Sequence, residues 1–121
     1  MTASALDPSG DLVTFDVARA DASASVRAAG EIDSTTAPLL SQHLTELLDT
    51  EVRELTVDLR GVSFLDSAGL CVLATVHRRA VRQDVQMRVL ASSRAVVRPL
   101  QITGLWDLLR AEQVADAGQV A

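Results

Sequence analysis

From Leu12 onward the chain alternates, with Val13, Phe15 and Val17 on one face and Thr14, Asp16 and Ala18 on the other. A period of two predicts a strand. Asp21 and Ser23 weakly mark a turn. A second alternation follows, setting Val26, Ala28, Gly30 and Ile32 against Ser25, Arg27 and Glu31. The two runs read as a β-hairpin. The period then changes. Ser34, Thr35 and Thr36 offer helix caps, Pro38 suits a first helical turn, and Leu40, Leu44, Leu47 and Leu48 recur at helical spacing. That pattern predicts an amphipathic helix over 38–49. Leu55, Val57 and Leu59 alternate with Thr56 and Asp58 as a third strand, which Gly61 is expected to break.

A second helix is predicted over 67–83. Leu70, Val72, Leu73, Ala74, Val76, Ala80 and Val81 form one broad apolar arc on it, opposite Thr75, Arg78, Arg79 and Arg82. An arc of that width suits a helix laid flat on a sheet. Val85, Met87 and Val89 make a fourth strand. Ser92 or Ser93 can cap a third helix carrying Val96, Val97 and Leu100, with Pro99 expected to disturb it and Gly104 to stop it. Trp106, Leu108 and Leu109 suggest a short closing helix, and the tail from Ala111 is expected to fray.

This order predicts an α/β fold: a mixed sheet of four or five strands that starts with a hairpin, continues in β-α-β-α units and is covered by amphipathic helices. Strands that alternate with helices should run parallel through right-handed crossovers. Composition does not shift along the chain, so residues 1–121 read as one domain with a core over about 12–110 and loose ends at 1–10 and 111–121.

Composition narrows the chemistry. All 11 basic residues are arginine, set against 16 acidic ones, for a net charge of −5. Without lysine there is no P-loop, no protein-kinase core and no Schiff-base catalysis. Cys71, the single cysteine, can neither close an internal disulfide nor build a cysteine-rich metal site. An acidic balance with Phe15, Phe64 and Trp106 as its aromatic residues argues against direct nucleic-acid binding. No apolar run reaches the ~20 residues of a membrane span, and MTASALDPSGD lacks the regions of a secretory signal. The expectation is a cytoplasmic protein without cofactor or metal.

The stretch from Gly61 to Leu70, reading GVSFLDSAGL, joins the third strand to the second helix. Ser67 falls at the helix start, with Asp66 before it and Gly69 in the first turn. Free N–H groups and the helix dipole favour negative charge there. A phosphate on Ser67 would add ~1.5 to 2 negative charges, which the helix end supports and Asp66 opposes. The plainer reading is that Asp66 or Ser67 simply caps the helix.

Phe64-Leu65-Asp66-Ser67-Ala68-Gly69-Leu70 resembles the signature of STAS domains, and in particular of bacterial anti-sigma factor antagonists. Gly30-Glu31-Ile32-Asp33, followed by Thr36-Ala37, resembles a second motif of that family. Arg94 to Leu105, ending Ile102-Thr103-Gly104-Leu105, resembles a third. With three motifs in the right order, the resemblance spans about Leu12 to Leu109, nearly the whole chain. The resemblance implies a partner switch. The unmodified protein would bind an anti-sigma factor that is also a serine kinase, and so free a sigma factor. That kinase would supply the ATP and phosphorylate Ser67, and a serine phosphatase would restore the hydroxyl. The implied switch surface is Asp33, Asp66, Ser67, Ala68 and Gly69. Ala68 stands where the family often has a second serine. An alternative is a non-phosphorylated STAS module in a sensory scaffold or a transporter complex.

Other residues carry plainer expectations. Asp33 can be a helix-entry cap. Asp58 can be solvated or anchor a loop. Gly30 either permits a close approach or relaxes a strand. Cys71 is expected to be buried or half-buried, His77 satisfied within the apolar arc, and Trp106 a packing anchor. Arg78, Arg79 and Arg82 read first as a solvated stripe. An enzyme fits poorly: the Ser67 segment lacks the glycine of a nucleophile elbow, and neither His43 nor His77 pairs evidently with Ser67.

Overall fold

The structure is a computed structural model that describes residues 13–115. The arm expected at 1–10, the strand start at Leu12 and the tail beyond 115 lie outside the described residues. The chain runs β1 Val13–Ala20, β2 Ser23–Ile32, α1 Ala37–Leu48, β3 Glu54–Leu65, α2 Ser67–Arg82, β4 Gln86–Ala91, α3 Arg94–Thr103, α4 Leu105–Leu108 and β5 Ala111–Gln113. The strands form one five-stranded mixed sheet in sequence order. β1 pairs antiparallel with β2, and the pairs β2–β3, β3–β4 and β4–β5 are parallel. This is the hairpin-then-crossover α/β architecture that the hydrophobic pattern predicts.

Alternation decides which side of the sheet is covered. Val26 and Ala28 of β2, Leu55, Val57 and Leu59 of β3, and Met87, Val89 and Ala91 of β4 are buried in one cluster. Leu40 and Leu44 of α1, Leu73 and Val76 of α2, and Val96 and Leu100 of α3 join it. Crossovers of one hand between successive neighbours keep the helices on one face. On the other face Asp58 is buried, and it is held by Arg27 at 3.1 Å and Arg60 at 2.9 Å. Asp58 is thus an anchor and not a solvated strand residue. Burial pushes its carboxyl up, but the Arg60 hydrogen bonds and the charges of Arg60 and Arg27 outweigh that and hold it below the usual aspartate range.

Several sequence expectations need correction. Gly61 does not break the third strand, because β3 runs on to Leu65. A Cβ on Gly61 would lie 2.9 Å from the Ala29 Cβ, where the β2–β3 register shifts. The glycine permits a close approach that continues the strand. The tail does not fray at Ala111: Ala111, Glu112 and Gln113 pair with Val89, Leu90 and Ala91 as β5. α3 runs through Pro99 and stops at Gly104, whose φ of 80° is left-handed. Cys71 is exposed, and Val81, placed in the apolar arc, is 62% exposed. Cys71 shares the exposed face of α2 with Thr75 and Arg78, and Val81 lies in the last turn of the helix. Trp106 packs against the core as expected.

Candidate functional site

The ends of the parallel strands are the usual place for a site in an α/β sheet, because loops converge there from successive units. β2 and β3 reach that edge together, with Ile32 paired to Leu65. Gly30, at a φ of 109°, supplies a backbone conformation that disfavours side chains, just where the pairing shifts register. Beyond Leu65, the Asp66 N–H donates to the Ile32 carbonyl at 3.2 Å. The loops carrying Asp33 and Asp66 are therefore stitched side by side.

Asp33 opens a tight turn. Its carboxylate accepts from the Thr35 N–H at 2.9 Å and the Thr36 N–H at 3.1 Å. These backbone donors hold its carboxyl below the ordinary aspartate range, the Thr36 contribution being the largest. Thr36 is fully buried, and its hydroxyl donates to the Glu31 carbonyl at 2.7 Å and accepts from the Asp33 N–H at 2.9 Å. Thr36 thus locks the turn and is not a side-chain cap for α1. Its burial was not legible in the sequence, although a threonine three residues after a loop aspartate is a turn signal.

Asp66 caps α2. Its backbone is extended, and its carboxylate accepts from the Ala68 N–H at 2.9 Å and the Gly69 N–H at 3.4 Å. The sequence left open which residue, Asp66 or Ser67, makes the cap; the geometry assigns it to Asp66. Ser67 is the first residue of α2 and is exposed, and no described residue hydrogen-bonds its hydroxyl. Ala68 is half-buried. Gly69, expected on the switch surface, is buried instead. A Cβ there would come within 2.4 Å of Leu65 Cδ1 and 2.8 Å of Ile32 Cγ2. Its work is to let α2 sit tightly on the strand ends and so fix Ser67.

Phe64, three residues before Ser67, is 46% exposed. A large aromatic left half in water beside a free hydroxyl suits a surface that another protein covers. Neither histidine comes to Ser67: His43 packs against Phe15 in a tilted arrangement with ring centroids 4.8 Å apart, and His77 is half-buried ten residues along α2. A cleft lined in part by Ser25, Thr56, Arg88 and Arg110 lies at the starting end of the strands, away from Ser67. Chemically, the edge offers at the start of α2 an exposed hydroxyl, Ser67, next to the Asp66 carboxylate, and among the described residues neither histidine is placed to activate it.

Comparison with known proteins gives a consistent result. A family model described as STAS domain matches residues 15–117. A Staphylococcus aureus protein named anti-sigma-B factor antagonist is 32% identical over 88 residues, covering 73% of this chain and 82% of that protein. Its Bacillus subtilis namesake is 29% identical over 106 residues, covering 88% and 96%. Among solved structures, an anti-sigma factor antagonist from Mycobacterium paratuberculosis superposes with a TM-score of 0.79 at 32% identity, over 86% of this chain and 88% of that one.

Proposed function

The chain belongs to the STAS domain family, and from that membership we propose that it is an anti-sigma factor antagonist switched by phosphorylation of Ser67. In its unmodified form it binds an anti-sigma factor through the edge that carries Asp33, Phe64, Asp66 and Ser67, and so releases a sigma factor. The anti-sigma factor is also a serine kinase that brings the ATP. A serine phosphatase returns the protein to its binding form. The protein works as a binding partner in the cytoplasm and performs no chemistry of its own.

One observation carries this reading: Asp66 fills the capping role, which leaves the Ser67 hydroxyl exposed and unengaged at the helix start. A serine needed only as a cap would spend its oxygen on the N2 or N3 amide. Here those amides, from Ala68 and Gly69, already bind the Asp66 carboxylate. A phosphate on Ser67 would compete with a fixed anion for them. Its charge is therefore directed outward, into whatever surface covers the edge. A dianion placed in a protein interface without a cation to meet it costs several kcal/mol of binding, and each ~1.4 kcal/mol is a tenfold loss of affinity. The switch therefore needs no change of fold.

The test is to incubate the full chain with its anti-sigma factor kinase and ATP and read intact mass, followed by peptide mapping. One phosphate on Ser67 is expected. An unmodified chain, or phosphate only on another serine, overturns the proposal.

A further inference from the structure

Helices α2 and α3 carry Arg78, Arg79, Arg82, Arg94 and Arg98 and not one acidic residue. The chain as a whole has a net charge of −5, so its charge is segregated. Of these arginines, among the described residues only Arg79 meets a carboxylate, that of Asp49 beyond the end of α1. Arg78 reaches the Thr75 hydroxyl, and Arg82, Arg94 and Arg98 meet no acceptor among the described residues. This arrangement works against the fold. Arg78 and Arg82, like Arg94 and Arg98, are equal charges one helical turn apart. Arg94 also sits in the first turn of α3, where the dipole favours an anion. Arg79 and Arg82, in the last turn of α2, have a helix-dipole reason for their places; Arg78, Arg94 and Arg98 do not. Local rules broken without compensation inside a domain point to work done outside it.

A second observation says where that work is done. The exposed positions Ser67, Cys71, Thr75, Arg78 and Arg82 are spaced four, four, three and four residues apart, so they form one stripe down α2. At a rise of 1.5 Å per residue, Arg78 lies roughly 16 Å and Arg82 roughly 22 Å from Ser67 along the axis. A standard interface of about 800 Å² per partner is roughly 30 Å across, so a footprint with Ser67 toward one margin reaches both.

We propose that Arg78 and Arg82 dock against a carboxylate-bearing surface of the anti-sigma factor, extending the Ser67 contact down α2. The inference rests on the function proposed above and adds the partner's chemistry. Guanidinium forks match carboxylates bidentately and desolvate more readily than ammonium groups, which suits an interface. A polyanion fits worse, because Asp33 and Asp66 at the head of the stripe would repel a continuous run of phosphates. Carboxylates on a folded partner can sit over the arginines alone.

The test measures Kd and the association rate of the full chain with its anti-sigma factor kinase across a salt series. Arg78→Glu with Arg82→Glu is expected to weaken binding about tenfold or more, chiefly by slowing association, and to flatten the salt dependence. Arg78→Gln with Arg82→Gln should give a smaller loss in the same direction, and it serves if the reversal variant folds poorly. A matched reversal, Arg19→Glu with Arg110→Glu at the cleft at the starting end of the strands, should change Kd less than about threefold. Unchanged affinity and salt slope in the α2 variants, or an equal loss in the control, overturns the inference. So does wild-type binding to DNA or anionic vesicles that the α2 variants lose while keeping their anti-sigma affinity. If Ser67→Asp weakens binding and the α2 variants do not, this inference alone falls; if the wild-type chain does not bind the kinase, both fall.

Discussion

The amide of Asp66 donates to the carbonyl of Ile32 across 3.2 Å, one pairing step beyond the last residues of two parallel strands. Through it the turn that holds Asp33 and the helix start that holds Ser67 become one rigid edge. The cap at Asp66 then matters twice, once for α2 and once for the orientation of the hydroxyl beside it. Asp66→Ala removes the acceptor for the Ala68 and Gly69 amides. It should destabilise the domain by about 0.5 to 2 kcal/mol in denaturant unfolding, the usual range for a lost cap. Asp66→Asn, which keeps an acceptor oxygen, should recover most of the loss. An alanine variant as stable as the wild type would show that the cap is not used.

Gly69→Ala sets two effects against each other. Alanine is better than glycine in a helix by about 0.8 to 1 kcal/mol. The new methyl, however, would meet Leu65 Cδ1 at 2.4 Å and Ile32 Cγ2 at 2.8 Å. Both are side-chain atoms within a packed core, where overpacking costs roughly 1 to 3 kcal/mol. Overpacking should win, so thermal unfolding is expected at a lower midpoint than in the wild type. A raised midpoint would mean that Leu65 and Ile32 give way freely and that α2 is not seated by close approach.

Stability should also report on acid. Asp33 and Asp58 both have carboxyls held below the ordinary range, Asp33 by the Thr36 and Thr35 amides and Asp58 by Arg60 and Arg27 against the opposing effect of its burial. A folded value below the unfolded one means that the charged form is favoured by folding. That stabilisation is complete above the unfolded aspartate value, about 3.9, and is lost as pH falls through the folded values. Unfolding followed from pH 7 to pH 2, two readings chosen to bracket about 3.9, should show a plateau and then a fall below about pH 4. Asp58→Asn should shrink the acid-dependent part and lower stability at neutral pH, because it leaves two arginines facing a neutral group. An unchanged acid slope in that variant would place the dependence elsewhere.

The sequence made the strand order legible because each run holds its period: Val13, Phe15 and Val17 step by two, while Leu40, Leu44, Leu47 and Leu48 step by three and four. It also brought Asp33, Asp66 and Ser67 forward as one site, through motifs that lie 33 residues apart but end on neighbouring strands. What it hid depends on contacts between distant segments. Gly61 looks like a strand end unless Ala29 is known to press against it. Ala111 looks like a tail unless Val89 is known to offer an open edge. Val81 fits the apolar arc on a wheel, but the wheel does not tell how much of that arc the sheet covers. The division of labour at Asp66 and Ser67 was likewise open, since either side chain can cap a helix and only backbone geometry chooses.

The decisive prediction concerns Ser67 itself. Its hydroxyl meets no described residue and is exposed, so Ser67→Ala removes nothing that holds the fold. Surface changes of that kind usually stay within about 0.5 kcal/mol of the parent. Ser67→Ala should therefore unfold like the wild type and bind the anti-sigma factor with similar affinity, while accepting no phosphate there. Ser67→Asp should fold equally well, because a carboxylate in the first turn is favoured by the helix dipole. It should nonetheless lose at least about tenfold in affinity, or ~1.4 kcal/mol, because its charge enters the interface beside Asp66 and close to Asp33. The two variants, measured by titration calorimetry against the same partner, separate a charge switch from a steric one. Equal affinities for the alanine and aspartate variants would end the charge-switch account.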